Sequence, residues 1–295
     1  MDMKPADLAL LTSLDVLLEE QHVSRAAQRL NLSQSAMSSR LARLRTWFDD
    51  PLLIPSDSGR GMVLTPRAQA LRERLHVALQ GVRESIAAET FDPLHDAHTF
   101  TVAANDNAFA VLLRPLGQAV LSEAPLVRLR CIAPDHQHMA SLMERGDLDL
   151  YIGAARMVPP SLKQRPLLRD GFCVARRSDD TSPMDLTTYT TRSHVLVSPA
   201  GQFFSAIDAR LAELQHTRRV AVTVANYTQA ATMVAGSDAL ATLPGAFLHS
   251  LSFPLRIDPL PFELQAFDYV MAWHPRMQDA PAHRWLRERL LATLG

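Results

Sequence analysis

The sequence predicts an α/β protein in two parts, an all-helical portion of about ninety residues followed by about two hundred in which short strands alternate with helices. Three observations predict it. Through the first part apolar residues recur at spacings of three and four, the stripe of amphipathic helices. The stretch FDPLHDAH, residues 91 to 98, interrupts that stripe with Pro93, and from Thr99 onward the pattern changes to apolar runs of five to seven residues separated by helical segments. A chain of 295 residues with 47% hydrophobic content also exceeds what a single core readily organises.

Composition narrows the function. The net charge is −1, so affinity for nucleic acid has to come from a local patch. Such a patch exists between Gln21 and Phe48, where Arg25, Arg29, Arg40, Arg43 and Arg45 occur without an Asp or Glu. No export signal or apolar run of membrane-spanning length is present, which gives a cytoplasmic expectation with no membrane partner. Cys131 and Cys173 fall in the apolar runs LRCIA and GFCVA and read as buried structural thiols. His136 and His138 in DHQH lack a third ligand, and HExxH, GxSxG, GxGxxG and P-loop motifs are absent. Neither a catalytic residue nor a metal or cofactor is expected, and the chain does not read as an enzyme.

In chain order, Leu8, Leu11, Leu14, Leu17 and Leu18 define a first helix from Asp7 to Glu20. Ser24 is expected to cap a second, short helix that turns Ala26, Ala27 and Leu30 toward the first. Ser33 then caps a third helix from about Gln34 to Trp47, with Ala36, Met37, Leu41, Leu44 and Phe48 inward. Its other face carries Gln34, Ser35, Ser38, Ser39, Arg40 and Arg43, donors with no acid among them. Two short helices around a tight turn, the second polar and basic on its outer face, form a helix-turn-helix, whose second helix fits the DNA major groove. Gln and Arg can make paired bonds to adenine and guanine edges, and serines with a helix N-terminus suit phosphates. Leu52–Ile54 and Met62–Leu64 read as two strands of a wing, with Arg60 at a tip that Gly59 and Gly61 allow to turn. Thr65-Pro66 starts a long helix to about Thr90, along which Leu71, Leu75, Ala78, Val82 and Ile86 form a narrow seam. The seam serves either as a dimer contact or as packing against the helix's own domain.

This order of features, with VSRAAQRLNLSQSAMSSRLARLR and DDPLL…SGRGMVLTPRA, resembles the DNA-binding domain and linker helix of LysR-type transcriptional regulators over about residues 6 to 90. The branch it resembles includes nodulation and aromatic-degradation regulators. The resemblance implies an α/β protein with an all-α winged helix-turn-helix N-terminal domain (residues 1–65), a linker helix (66–90), a hinge (91–98) and a two-lobed effector domain like the type 2 periplasmic binding proteins (99–295). It also implies a homodimer through the linker helix, or a tetramer, on an interrupted palindrome of double-stranded promoter DNA, with RNA polymerase as a further partner. The residues assigned to DNA are Ser24, Arg25, Ser33, Gln34, Ser35, Ser38, Ser39, Arg40, Arg43 and Arg60. Two departures stand out: Leu53 and Pro55 replace the family's usual Phe and Arg, and Ser35 stands where proline is common. Pro55 cannot supply the backbone contact expected of that arginine, and the longer loop SDSGRG offers Arg60 in its place.

Beyond residue 98 the strands TFTVAA, VRLRCIA and DLDLYIGA alternate with helices at about 106–122 and 139–144. GFCVARR, SHVLVS, RVAVTVA and ALATLP follow, with helices at about 203–214 and 227–234. FDYVMAW then returns to the first lobe before a helix at about 281–294, which puts lobe 1 at 99–170 and 266–295 and lobe 2 at 171–265. Ligands bind outside the carboxyl ends of such strands, so strand-to-helix turns supply the candidates. These are Asn105, Asp106 and Asn107, which equally suit a helix cap, then Ser198, Gln202, Phe203 and Phe204, then Asn226, Tyr227 and Thr228. Asp170 lies where the family's aromatic-acid responders carry a polar or basic group, and an acid there opposes an anionic effector. The sequence thus reads as a DNA-binding transcriptional regulator whose small-molecule effector is unknown. The alternatives are a small-molecule binding protein or enzyme with an N-terminal assembly module, and a thiol-based redox regulator.

Overall fold

The computed structural model describes residues 5–56, 61–87 and 89–294 and divides into two units, Met1–Ala88 and Glu89–Gly295. Helices α1 (Pro5–Glu20), α2 (Val23–Arg29), α3 (Gln34–Phe48) and α4 (Pro66–Ile86) build the first unit, with strands β1 (Leu53–Pro55) and β2 (Met62–Leu64) paired antiparallel. Its core joins Leu14, Leu17 and Leu18 of α1 to Ala26 and Ala27 of α2, Met37, Leu41 and Leu44 of α3, and Ala68, Leu75 and Leu79 of α4. Since α1 is covered by helices on several sides, Leu10 and Val16 are buried as well, whereas Leu8 at its start is exposed.

The local chemistry explains the turns. α2 ends in a Schellman motif: Leu32 N–H donates to Ala27 O and Asn31 N–H to Gln28 O, with Asn31 left-handed at φ 54°. Ser33 caps α3 by accepting from Ala36 N–H at 3.1 Å, and Thr65 caps α4 through Ala68 N–H, also at 3.1 Å. The cap of α2 departs from expectation. It is His22, whose Nδ1 faces Arg25 N–H, and Ser24 lies inside the first turn. Histidine is outside the usual capping set, so the sequence pointed to the nearest serine instead. α4 stops at Ile86, and its seam is divided. Leu71, Leu75 and Leu79 face their own unit, while Ala78, Val82 and Ile86 are exposed together with Val77.

The second unit holds two five-stranded sheets. β3 (His98–Ala104), β4 (Val127–Ile132), β5 (Leu150–Ala154), β6 (Lys163–Asp170) and β12 (Phe267–Trp273) form the first, in the order β4-β3-β5-β12-β6. β7 (Phe172–Arg177), β8 (Ser193–Val197), β9 (Arg219–Val224), β10 (Leu240–Pro244) and β11 (Leu255–Pro259) form the second, in the order β11-β7-β10-β8-β9. The chain crosses between lobes twice, from β6 to β7 and from β11 to β12. β12 pairs antiparallel with β5 and β6, which puts the late strand FDYVMAW back in the first lobe.

Each sheet is buried on both faces, as parallel pairing with crossover helices requires. In lobe 1, Phe100, Val102, Leu150, Ile152 and Met271 face α6 (Arg114–Glu123) and α12 (Pro281–Ala292). The alternate residues Ala103, Tyr151 and Ala272 face α7 (Met139–Arg145). In lobe 2, Ala175, Val195 and Ala241 pack on α10 (Tyr227–Ala235) and α11 (Gly245–His249). Val174 and Leu240 pack on α8 (Leu186–Thr191) and α9 (Ala206–Glu213).

Several expectations are corrected here. The helix expected from Asp106 is a short α5 (Asp106–Ala108) and a π segment, Phe109–Leu113, that leads into α6, because Pro115 removes an N–H from the regular ladder. The helix expected from Phe203 starts at Ala206, where Ser205 and Asp208 form a capping box. β6 escaped the sequence reading because KQRPLLRD is a charged, largely exposed edge strand without a two-residue apolar period. Residues 91–98, expected as a hinge, are tied to the second unit: Phe91 packs on Trp285 at 5.4 Å between ring centroids, and His98 opens β3. Cys131, expected to be buried, is exposed on the edge strand β4, and Cys173 is half-buried. Desolvation pushes both thiols above their ordinary range, with Asp170 adding to the effect on Cys173.

One buried group makes lobe 2 sensitive to pH. His194 is fully buried, donates through Nε2 to Tyr189 O at 2.7 Å, and faces the Arg218 guanidinium through Nδ1. Burial, reinforced by Arg218, pushes its pKa down to about 4. An unfolded histidine titrates near 6.5, so between these values the unfolded chain binds the extra proton, and stability is lost as pH falls through the window. The expected loss is up to about 3 kcal/mol. Circular dichroism melts at pH 7 and pH 5 should show a larger fall for the native chain than for His194→Gln; equal falls would assign the sensitivity elsewhere.

Candidate DNA-reading helix and interlobe cavity

On α3 the residues Gln34, Ser35, Ser38, Ser39 and Arg43 are exposed on one side, and Ala42 and Thr46 continue the face. Ser33 is exposed too, but its Oγ is engaged by the cap and lies 3.0 Å from Ser35 Oγ. The arginines differ in ways their spacing does not reveal. Arg40 is half-buried and turns back, Nη1 donating to Ser13 Oγ of α1 at 2.8 Å. Arg45 staples the start of the wing by donating to Pro51 O and Leu53 O.

The basic segment also has acidic neighbours just outside it. Arg25 pairs with Glu20 at 3.3 Å and donates to its backbone carbonyl, and Arg29 pairs with Glu19 at 2.6 Å and Glu20 at 3.1 Å. Those two glutamates hold the Arg29 pKa above its usual value. Arg43 is therefore the arginine of α2 and α3 without a partner among the described residues. Arg60, assigned to the wing tip, lies outside the described residues, as do Asp57, Ser58 and Gly59.

In the second unit a cavity of about 610 Å³ opens between the lobes at the carboxyl ends of β5, β8 and β10. Ser205, Thr242, Gln265 and Asp268 are polar groups on its wall, among apolar residues such as Leu196, Ile207 and Leu264. A smaller recess of about 150 Å³ adjoins it through shared walls at Arg156, Phe172, Tyr227 and Phe267. The recess is lined further by Asn105, Asn107, His136, Tyr151 and Tyr269.

The recess has unusual electrostatics. Asn107 and Tyr269 are 2% and 1% exposed; Asn107 Oδ1 and the Tyr269 hydroxyl make no hydrogen bond of normal geometry, although the Asn107 side chain lies close enough to the phenol to act on it. Buried polar groups are normally paired, so two poorly satisfied ones on one wall are suited to polar groups of a bound molecule. Burial pushes the Tyr151 phenol up to about 12 and those of Tyr227 and Tyr269 above their ordinary range, which keeps all three protonated as donors. Burial lowers the His136 pKa, and its ring meets Tyr151 edge-on at 5.7 Å. Arg156 supplies a cation with no partner among the described residues.

Most strand-to-helix candidates have other work. Asp106 of lobe 1 accepts from Tyr227 N–H at 3.2 Å, Thr228 N–H at 2.7 Å and Thr228 Oγ1 at 2.9 Å, capping α10 of lobe 2 across the cleft. Asn226 caps the same helix from its own lobe through Gln229 N–H. Asn105 caps α5, and Asp170 accepts from Gly171 N–H and Ala246 N–H at the start of α11. Ser198 Oγ accepts from Gln202 N–H. Gln202, Phe203 and Phe204 are exposed outside the cavity, the two rings at 61% and 65%. Of the sequence candidates, Asn105, Asn107 and Tyr227 line the cavities, and Asp106, Asp170, Ser198, Gln202, Phe203, Phe204, Asn226 and Thr228 do not. Arg156, Tyr151, Tyr269 and His136 were missed. For Tyr151 and Tyr269 the one sequence signal is a polar aromatic inside an apolar strand, as in LYIGA and FDYVMAW.

A winged helix-turn-helix unit together with a two-lobed unit that encloses a polar recess defines a class, the ligand-responsive DNA-binding regulators. Residues 8–69 match the bacterial regulatory helix-turn-helix of the lysR family, and residues 95–295 match the LysR substrate binding domain. The chain belongs to the LysR family of transcriptional regulators. It is 33% identical to nodulation protein D 1 of Mesorhizobium japonicum, over 99% of this chain and 94% of that one. It is 30% identical to the regulator LinR of Sphingobium indicum, over 100% and 99%. A crystal structure of a "probable transcriptional regulator" from Pseudomonas aeruginosa is 29% identical with a TM-score of 0.61, covering 96% of this chain and 97% of that one. Among the described residues no helix is long and apolar enough to cross a membrane.

Proposed function

We propose that Gln34, Ser35, Ser38, Ser39 and Arg43 form the row that meets DNA, with Ser33 and the α3 N-terminus toward phosphate. The observation that carries this is the exposed, acid-free face of α3 with Arg43 as its unpaired cation. Ser24 and Arg25, set in the first turn of α2 and near Glu20, act at the phosphate edge of that row, and Arg60 extends it from the wing. Arg40 is reassigned from base reading to holding α3 against α1. Two chains pair through the exposed Val77, Val82 and Ile86 of α4, so the DNA site is an interrupted palindrome. Pairs of dimers form the tetramer, and RNA polymerase is the downstream partner, in the cytoplasm.

The effector occupies the interlobe cavity, with a hydrogen-bond donor toward Asn107 Oδ1 and an acceptor or anionic group toward Arg156. Asp170 does not line the cavity, its carboxylate being engaged at α11, but its charge still reaches Tyr269 on the recess wall and favours an effector whose anionic group, if any, sits toward Arg156. Effector binding acts on the Asp106 contact to α10, since Tyr227 belongs both to that contact and to the cavity wall.

DNase footprinting of the full chain over its own promoter and that of a divergent neighbour tests this. Two protected half-sites on one face of the duplex are expected at physiological salt. Protection that ignores sequence at every salt concentration would instead make the N-terminal unit an assembly module.

A further inference from the structure

Outside both sites, α1 and α4 bring a donor set together. Asp15 and Glu19 lie one turn apart on α1, and His76 reaches them from α4, with one potential ligand atom of each within 4.8 Å of the others. His76 Nδ1 is 3.2 Å from Asp15 Oδ1 and 3.3 Å from Glu19 Oε1. A tetrahedral ion with nitrogen and oxygen ligands at about 2.0–2.1 Å sets its ligand atoms roughly 3.3 Å apart, so the spacing is already that of a metal's coordination edge. The other carboxylate oxygens face cations: Asp15 Oδ2 meets Arg83 Nη2 at 3.5 Å, and Glu19 Oε2 meets Arg29 Nη1 at 2.6 Å. Such outer partners orient ligating carboxylates and leave Oδ1 and Oε1 toward the imidazole.

A second observation points the same way. The three donors open into a surface depression of about 390 Å³ lined by residues with polar ends: besides Asp15, Glu19 and His76 it holds Gln69, Arg72 and Glu73. Glu73 is exposed, has no partner among the described residues, and precedes His76 by three positions on α4. Glu-x-x-His on one helix facing carboxylates on another is a donor arrangement that helical proteins use for metals.

We propose that Asp15, Glu19 and His76 bind a divalent transition-metal ion of the Zn²⁺ class and so lock α1 to α4, with Glu73 on the wall of the same depression able to reach the ion only after a change of rotamer. One imidazole with carboxylates suits that borderline class better than Ca²⁺ or Mg²⁺, which take oxygen ligands. The ion takes the place between the imidazole Nδ1 and the two carboxylates, so it competes with protons for the same donor atoms and binds more weakly as pH falls. Its effect falls on the joint between the DNA-reading helices and the linker helix, and thereby on the angle at which paired units meet half-sites.

The test uses the full-length chain with both cysteines replaced by serine, stripped of metal and titrated with Zn²⁺ alone against a chromophoric chelator. One equivalent is expected to bind, and less tightly as the pH is lowered. His76→Gln, at a half-exposed side chain, should weaken binding by at least about tenfold, and Glu19→Gln should also weaken it. Circular dichroism checks that each variant is folded, and Glu19→Gln decides the matter if His76→Gln is not. The proposal is overturned by the lack of a saturable equivalent, or by affinity unchanged in the folded variants, which would make the cluster an ion-pair clamp only.

Discussion

Arg43→Ala is expected to lower affinity for a specific promoter site by about 1–3 kcal/mol, or roughly 5- to 150-fold, if the side chain pairs with a base edge. Its exposed position and lack of a partner mean the free protein loses little, so the melting temperature should hold within about 0.5 kcal/mol of stability. Arg40→Ala should behave in the opposite sense. It removes the charged bond to Ser13, which is fully buried, and stability should drop by roughly 1–3 kcal/mol, while the loss in DNA affinity is shared by specific and nonspecific sequences. Fluorescence anisotropy on specific and random duplexes over a salt series, together with thermal melts, separates the two. A specific-only loss for Arg40 with unchanged melting would return it to the reading row and sink the assignment made here.

Tyr269→Phe should give the second large effect, with opposite signs in the free and bound protein. The hydroxyl is buried beside the Asn107 side chain without a hydrogen bond of normal geometry, and a poorly satisfied buried group of that kind costs up to about 1–3 kcal/mol of desolvation. Its removal at constant ring shape should raise the melting temperature of the free chain by about 2–4 °C per kcal/mol recovered. Compounds that raise the melting temperature of the native chain in a panel of small acids and aromatics should lose most of that effect on the variant, because the recess then lacks one of its two poorly satisfied polar atoms. A destabilised free variant, or an undiminished response to those compounds, would show that the hydroxyl is not a ligand contact. Asn107 is the paired position, and its carbonyl oxygen is the acceptor an effector donor would meet.

The two sites were legible to different degrees. On α3 the periodicity alone separated Met37, Leu41 and Leu44 from Gln34, Ser38 and Arg43, because a helix projects residues three and four apart to one side whatever surrounds it. A cavity does lie at the carboxyl ends of the strands, but most of the strand-to-helix residues that the sequence offers do not line it. A carboxylate at a strand-to-helix turn can cap its own helix, cap another element, or face a ligand, and its sequence context is the same in all three cases. Asp106 caps α10 of the opposite lobe and Asp170 caps α11, choices made by the way two sheets are brought together over 121 and 76 positions of chain.

What the sequence by itself determined is local: the capping serine and threonine at residues 33 and 65, the tight turn at Asn31, the wing strands, and the alternation of strands and helices that makes two α/β lobes. These depend on hydrogen bonds and apolar periods within a few residues, which propensity and spacing report directly. Only the tertiary structure decided which arginines remain unpaired, that Arg40 answers to Ser13, that Tyr151, Tyr269 and Arg156 share one recess, and that His76 meets Asp15 and Glu19. Each of those facts is a pairing between residues distant in the chain, and the charge or hydrogen-bonding capacity of one side chain does not name its partner until packing brings the two together.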